Sequence, residues 1–385
     1  MIYLDNNATT KPSDAVAAAV ARATSELWGN PSSVHRFGQS VRREVELARQ
    51  SVADLLGVKA RELVFTSGGT ESINLCIRGV LDAIPRNSTK RGLVTSRVEH
   101  AAVRDLAESL AKEGTPVQWL PLLDGGVVDV AALQSMLDGS ISLVSVQWAN
   151  NETGVTQPVA DIARICSEKG VLFHCDATQW VGKEQFDSIE GIDLLTCSAH
   201  KFHGPKGVGV AWMRPGVRLK PQLQGSQELG RRGGTENVPA ILGMGIAAAE
   251  ALEWLADPSR RDAQRALRDL FEREILAAIP DAVVNGANRD RLWNTTNIGF
   301  PTLEAEALLM LLSERGLCAS AGAACSSGSL EPSPVLLAMG IPEHIAHGSL
   351  RFSLGRHTTR EEITAAVAIV VESVRKLRTS MPGRS

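Results

Sequence analysis

Apolar and polar positions along this chain alternate between two periods. Over residues 34–58, Val41, Val45, Ala48, Val52 and Leu55 recur at helical spacing, and Gly57 closes the run. Short apolar runs rich in β-branched residues predict strands at 62–66, 92–96, 117–120, 141–148, 171–174 and 192–196. Between them the pattern predicts a helix opening at Thr70 and others over 101–112 and 159–168, with Ser67-Gly68-Gly69 as a tight turn. After Pro239 the rhythm changes to long helical segments over 240–254, 262–279, 304–315 and 360–377, with a lone strand at 297–300. The expected fold class is α/β. A large domain over residues 13–254 carries a mostly parallel sheet covered by helices on both faces, and residues 1–12 with 255–385 make a smaller α+β domain. Sites in such sheets gather at the carboxyl ends of the strands, and Gly69, Asn151, Asp176 and Lys201 all fall at those ends.

Lys201 closes Ser198-Ala-His-Lys201 just beyond one strand, and Asp176 ends the strand before it. A lysine and a carboxylate so delivered are what a pyridoxal phosphate enzyme needs: the amine holds the cofactor, and the acid keeps its pyridine nitrogen protonated. Thr66-Ser-Gly-Gly-Thr-Glu-Ser72 joins a strand to a helix N-terminus, where backbone N–H groups and the helix dipole favour an anion. It is neither a Walker loop nor a GxGxxG dinucleotide turn, and an ordinary strand-to-helix turn is the bland reading. His100 follows a strand and could place an imidazole over a planar ring, or simply be a satisfied loop histidine. Asp176 and Gln179 leave one strand end together and could address two neighbouring ring positions, although an aspartate there also suits helix capping. Arg351 lies inside an apolar strand, where an unpaired guanidinium is costly. Either an anionic substrate group or an internal salt bridge would satisfy it.

The chain has 385 residues and a net charge of −3, with no basic excess for a nucleic-acid partner. The longest apolar stretch, 238–249, stops at Glu250 and is expected to be too short to span a membrane. The start of the chain lacks the basic and apolar regions of a signal peptide. Six cysteines, at 76, 166, 175, 197, 318 and 325, show no metal-type spacing. A cytoplasmic, reducing setting without structural disulfides is expected. Cys325 differs from the others because Gly322-Ala-Ala-Cys-Ser-Ser-Gly-Ser329 has the composition of a mobile, exposed loop, which could carry a thiol to a substrate. Cys318 sits in a more apolar run and is expected in the core.

Read in order, these elements resemble the cysteine desulfurases of the NifS/IscS group, within the class V aminotransferase branch of the fold-type I pyridoxal phosphate enzymes. The resemblance covers almost the whole chain. It rests on Tyr3-Leu-Asp-Asn-Asn-Ala-Thr-Thr10, Gly29-Asn-Pro-Ser-Ser33, Thr66-Ser-Gly-Gly-Thr-Glu-Ser72, Glu99-His100, Ala149-Asn-Asn-Glu-Thr-Gly154, Asp176-Ala-Thr-Gln179, Ser198-Ala-His-Lys201, Gly204-Pro-Lys-Gly-Val-Gly209, Gly234-Thr-Glu-Asn237 and the Cys325 loop. The wording of Trp148-Ala-Asn-Asn-Glu-Thr-Gly154 and Ala346-His-Gly-Ser-Leu-Arg-Phe-Ser353 is closer to the NifS branch.

The resemblance implies pyridoxal 5'-phosphate held by Lys201, with Asp176 on the pyridine nitrogen, Gln179 on the ring hydroxyl and His100 stacked on the ring. Gly69, Thr70, Ser198 and His200 would hold the phosphate, with Thr235 supplied by the other subunit of a homodimer. Asn151 and Arg351 would fix L-cysteine. Cys325 would take its sulfur as a persulfide, leaving L-alanine, and pass it to an iron–sulfur scaffold protein of the NifU/IscU kind or another acceptor. No resident metal is implied, although Cys325 could ligate iron transiently during transfer. Departures from the usual pattern include Gly69 in place of alanine, Leu229 in a glycine-rich segment, and Trp180 beside Gln179. A related lyase (selenocysteine lyase or a kynureninase-like enzyme) is the alternative enzyme reading, and the Cys325 loop separates them. A silent cofactor-fold binding protein is a third reading, opposed by Lys201, Asp176, His100 and Cys325 occurring together.

Overall fold

The computed structural model describes residues 1–322 and 331–380. The chain opens with β1 (Ile2–Tyr3), α1 (Asp14–Glu26) and α2 (Arg36–Leu56). There follow β2 (Leu63–Thr66), α3 (Gly69–Ala83), β3 (Gly92–Ser96), α4 (Ala101–Lys112), β4 (Val117–Leu120), β5 (Leu122–Leu123), β6 (Val127–Val128) and α5 (Val130–Met136). Next come β7 (Ile141–Gln147), α6 (Val159–Lys169), β8 (Leu172–Asp176), β9 (Leu194–Ser198), β10 (Gly209–Met213) and α7 (Val238–Leu255). The remainder is α8 (Pro258–Ala278), β11 (Val283–Val284), β12 (Thr295–Gly299), α9 (Ala305–Glu314), β13 (Leu317–Cys318), α10 (Pro334–Ala338), α11 (Glu343–Ala346), β14 (Ser349–Ser353) and α12 (Arg360–Ser380).

Seven strands form the main sheet in the order β2-β10-β9-β8-β7-β3-β4. Strand β10 is antiparallel to both its neighbours, and the other ladders are parallel. The mostly parallel sheet expected from the strand–helix alternation is therefore present, with one reversed strand that the periodicity did not announce. Helices α3 and α4 cover one face through Ile73, Ile77, Leu106 and Leu110, which pack with Val64 and Ala211. The opposite faces of the same strands, Phe65 and Val210, pack with Ile162, Ile165 and Ile241 of α6 and α7. A second, antiparallel sheet, β11-β12-β14, packs against α8, and β1 pairs in parallel with β13.

Helix α7 matches the segment expected over 240–254 but corrects the expectation that its apolar stretch is too short to span a membrane. It runs past Glu250 to Leu255, and its 18 residues with mean hydropathy 1.4 are long and apolar enough to cross a membrane by composition alone. Its position accounts for that character, because 61% of it is buried, packed against α1 and α2. The packing is close enough that a Cβ on Gly245 would lie 2.7 Å from Ala48. Helix α1, with few large apolar residues, was not anticipated, and Cys318 is half-buried rather than core.

Candidate active site

The carboxyl ends of β2, β3, β7, β8 and β9 open onto one cavity of about 280 Å³. Its lining includes Gly69, Thr70, His100, Asn151, Asp176, Gln179, Ser198, His200, Lys201 and Arg351, which the sequence scatters between positions 69 and 351. Thr235 does not line it. Thr235 borders a neighbouring cleft with Ser67 and Gly207, two residues that also edge the cup at the start of α3. Cys325 lies outside the described residues. Gly322, three positions before it, is in the cavity wall.

The cup is built by the β2–α3 turn. Gly68 precedes α3 with φ of 157° and has no side chain to cap the helix, whereas Ser13, Asp129, Asn237 and Asp257 cap theirs. The first N–H groups of α3 are thus left to a ligand. Strand β10 presses against this turn: a Cβ on Gly209 would lie 2.5 Å from the Gly68 backbone. Ser67 N–H is tied to Glu71 at 2.7 Å, and Arg232 pairs with Glu71 at 2.9 Å. Burial pushes the Glu71 carboxyl up, but bonds from Arg232 and Ser67 outweigh it and hold it below its ordinary value. His200 Nδ1 meets Thr9 Oγ1 at 3.2 Å; burial first, then Lys201 and Lys206, lower its pKa to about 4, so the ring is neutral near pH 7.

Asp176 ends β8 and is 5% exposed. Its Oδ1 accepts from Thr178 N–H at 3.0 Å and from Thr196 Oγ1 at 3.3 Å. Behind it lies a buried chain. Thr196 Oγ1 meets His174 Nε2 at 3.1 Å, and His174 Nδ1 meets Ser145 Oγ at 2.8 Å. Since the threonine hydroxyl donates to the carboxylate, it accepts from His174 Nε2–H, and Ser145 donates to Nδ1. Burial drives His174 to about 4, so it stays neutral in this chain. His100 caps α4, its Nδ1 accepting from Ala102 N–H at 3.1 Å, which leaves the proton of the neutral ring on Nε2. Burial lowers its pKa, against the pull of Asp176. Behind His100, Glu99 accepts from Ser96 Oγ at 2.8 Å and from Gln147 N–H at 2.9 Å, and burial raises its carboxyl to about 8.

Lys201 Nζ donates to the carbonyl oxygens of Asn7 at 2.5 Å and Ala8 at 3.0 Å. Gln179 Nε2 donates to the same Asn7 oxygen at 3.1 Å. Asn7 Nδ2 in turn holds the Asn151 carbonyl at 3.1 Å and Thr295 Oγ1 at 2.9 Å. Arg351, on β14, pairs with Asp5 at 2.7 Å and donates to the Asn151 carbonyl at 3.0 Å. The bland option for Arg351, an internal salt bridge, is therefore present. Its Nε is nonetheless buried with no partner among the described residues, as are Asn151 Oδ1 and Thr178 Oγ1 in the same wall.

These vacancies of bonding fit pyridoxal 5'-phosphate: an uncapped helix N-terminus for a phosphate, a buried carboxylate for a ring nitrogen, an amine within reach, and orphaned polar atoms around them. Sequence reasoning gave no role to Asp5, Asn7, Thr178, Lys183 or Glu99. Asp5 and Asn7 stood inside the quoted Tyr3–Thr10 motif. Their isolation in the chain from every other site residue hid what they touch.

Fold and site together define a fold-type I pyridoxal phosphate enzyme: residues 2–365 match the family described as aminotransferase class-V, and the chain belongs to that family. Within it the chain falls among the NifS-like cysteine desulfurases. Cysteine desulfurase 2 of Trichormus variabilis is 47% identical over 384 residues, covering 99% of this chain and 95% of the relative. Cysteine desulfurase NifS of Azotobacter vinelandii is 46% identical, covering 99% and 94%. A solved structure of a NifS-like protein superposes with a TM-score of 0.90 at 35% identity, covering 99% of this chain and all of that one.

Proposed function

We propose that this chain, as a homodimer in the cytoplasm, converts L-cysteine to L-alanine and takes the sulfur onto Cys325 as a persulfide. The observation that carries the reading is the convergence of Lys201, Asp176, His100 and the uncapped start of α3 on one cavity, with Gly322 in its wall. Pyridoxal 5'-phosphate supplies, when bound, an electron sink for charge developing at the substrate carbons. Gly69, Thr70, Ser198 and His200 hold the phosphate, and Thr235, outside its own cavity, reaches the partner's. Asp176 keeps a proton on the ring nitrogen, with His174 and Thr196 fixing its orientation. His100 presents Nε2–H to the ring face, and Gln179 offers an amide N–H to the ring hydroxyl. Arg351 and Asn151 orient the substrate, and Lys201 moves protons at its Cα.

In overall balance, the Cys325 thiol and L-cysteine give the Cys325 persulfide and L-alanine: one C–S bond breaks and one S–S bond forms. The thiolate is the competent nucleophile. The persulfide then passes to a sulfur acceptor, with a scaffold protein for iron–sulfur clusters the reading favoured by the NifS-like resemblance. We take residues 13–254 as the large domain and 1–12 with 255–385 as the small one. The test is a visible spectrum of the purified protein with alanine and sulfide assays on L-cysteine in the presence of a thiol reductant, which releases the persulfide sulfur as sulfide, for wild type and Cys325→Ala. Equal alanine and sulfide, lost in the variant, supports the reading. Alanine formation that survives the substitution moves it to a lyase.

A further inference from the structure

Lys183 is 4% exposed, lines a small cleft that shares Lys201 with the cavity, and has no carboxylate partner among the described residues. Its Nζ instead donates to Asn7 Oδ1 at 2.9 Å and to Gln179 Oε1 in a short contact. A buried amine without a counter-ion costs stability, and a methionine would fill the same volume. Packing therefore does not account for a lysine here, whereas its contacts give it a task.

As an ammonium, Nζ only donates, so Lys183, bonded to Asn7 Oδ1 and Gln179 Oε1, holds two amides with their oxygens toward it. Gln179 must turn its oxygen down to Lys183, which aims its –NH2 up. One of those N–H groups goes to the Asn7 carbonyl, the other has no acceptor among the described residues, and Gln179 lines the cavity. Asn7 is fixed in the same way, with Asn294 Nδ2 joining Lys183 on its Oδ1 at 3.0 Å. Asn7 thus takes Lys183 on its side-chain oxygen and Lys201 on its main-chain oxygen.

We propose that Lys183 is a positioning residue for the cofactor ring, locking the Gln179 amide with its N–H toward the ring hydroxyl and tying it through Asn7 to Lys201. The inference rests on the assignment of Gln179 to that hydroxyl. Charges reaching Lys183 come from Lys201 and Arg351, with His200 and His203 facing it, and none of these is an acid. Burial, reinforced by the two cations, pushes the Lys183 amine well below its ordinary value.

The experiment is a double-mutant cycle on Lys183→Met and Gln179→Ala in the cofactor-loaded protein, reading the midpoint pH of the visible-band titration, with thermal unfolding as the check of fold. Expected is a shift in the same direction in both single variants, about 0.5 unit or more, and no further shift in the double variant. A Lys183→Met midpoint within about 0.2 unit of wild type, or additive shifts, overturns the inference. If Gln179→Ala leaves the midpoint unmoved, the Gln179 assignment fails and the inference with it. A shifting Gln179→Ala beside a silent Lys183→Met overturns the inference alone. Should the methionine variant not fold, Lys183→Leu takes its place with the same criteria.

Discussion

Arg351 shows how a single residue is held ready. The Asp5 carboxylate occupies it at 2.7 Å, where a substrate carboxylate would have to compete. Asp5→Asn keeps an acceptor but removes the competing charge. The expected outcome in steady-state kinetics is a KM for L-cysteine lowered by roughly 3- to 10-fold, with a lower melting temperature because the buried guanidinium loses its anion. A raised KM would show that Asp5 orders Arg351 instead of competing for it. Glu99 gives a pH prediction with a definite sign. Its carboxyl is raised to about 8 in the fold, so between its ordinary value near 4.5 and pH 8 the folded chain binds more protons than the unfolded one. Stability attributable to Glu99 is present at low pH and lost as pH rises through 8. Glu99→Gln should flatten the fall in melting temperature between pH 5 and 9, and an unchanged slope would refute the assignment. Lys201, Asp176 and His100 were legible as residues because strand ends and short motifs marked them. Asp5, Asn7 and Lys183 were not, because their importance lies in partners from 144 to 346 positions away for Asp5 and Asn7, or in an amide four residues back whose own task comes from elsewhere.

Among elements, the unannounced strand β10 matters most to the site. It runs against the direction of β2 and β9 between them, and Gly209 lets its backbone close on the Gly68 turn. Gly209→Ala would place a methyl 2.5 Å from main chain, which flexible side chains cannot relieve. The expected cost is about 1–3 kcal/mol in unfolding free energy. Pyridoxal 5'-phosphate affinity should weaken alongside, measured by fluorescence titration of the cofactor-free protein, since the turn that starts α3 must shift. Loss of stability with unchanged affinity would separate β10 from the cup. Periodicity missed β10 because five residues flanked by glycines give few positions to count. It missed α1 for the opposite reason: an alanine-rich helix carries little amphipathic contrast, and only Val16 and Ala23 are buried. The same pattern reading did find α2, α4, α6, α7 and the parallel strands, whose apolar positions are dense and regular. Trp180, odd in sequence beside Gln179, stacks on Trp148 at 4.9 Å and so clamps the segment bearing Gln179 and Lys183 to the end of β7.

For the whole molecule, three histidines in and around the site, buried His174 and half-buried His200 and His203, are each lowered to about 4 by desolvation first. Between pH 6.5 and 4 the unfolded chain binds protons that these rings refuse, so stability is present above 6.5 and lost as pH falls through 4. The expected result is a cooperative acid transition across that window, shifted to lower pH by His174→Gln, as followed by circular dichroism; an unmoved midpoint would exclude His174 as a contributor. What the sequence determined by itself was local or ordered: helix and strand periods, the strand-end positions of Lys201 and Asp176, and the run of motifs that marks a NifS-like cysteine desulfurase. Those properties live in neighbouring residues, so chain order preserves them. Tertiary structure alone decided the rest. It put Asp5 against Arg351, set Asn7 under both Lys183 and Lys201, kept Thr235 out of its own cavity, and neutralised the histidines by burial. Each depends on which distant groups share a low-dielectric space and must satisfy one another's hydrogen bonds, and no spacing along the chain records that.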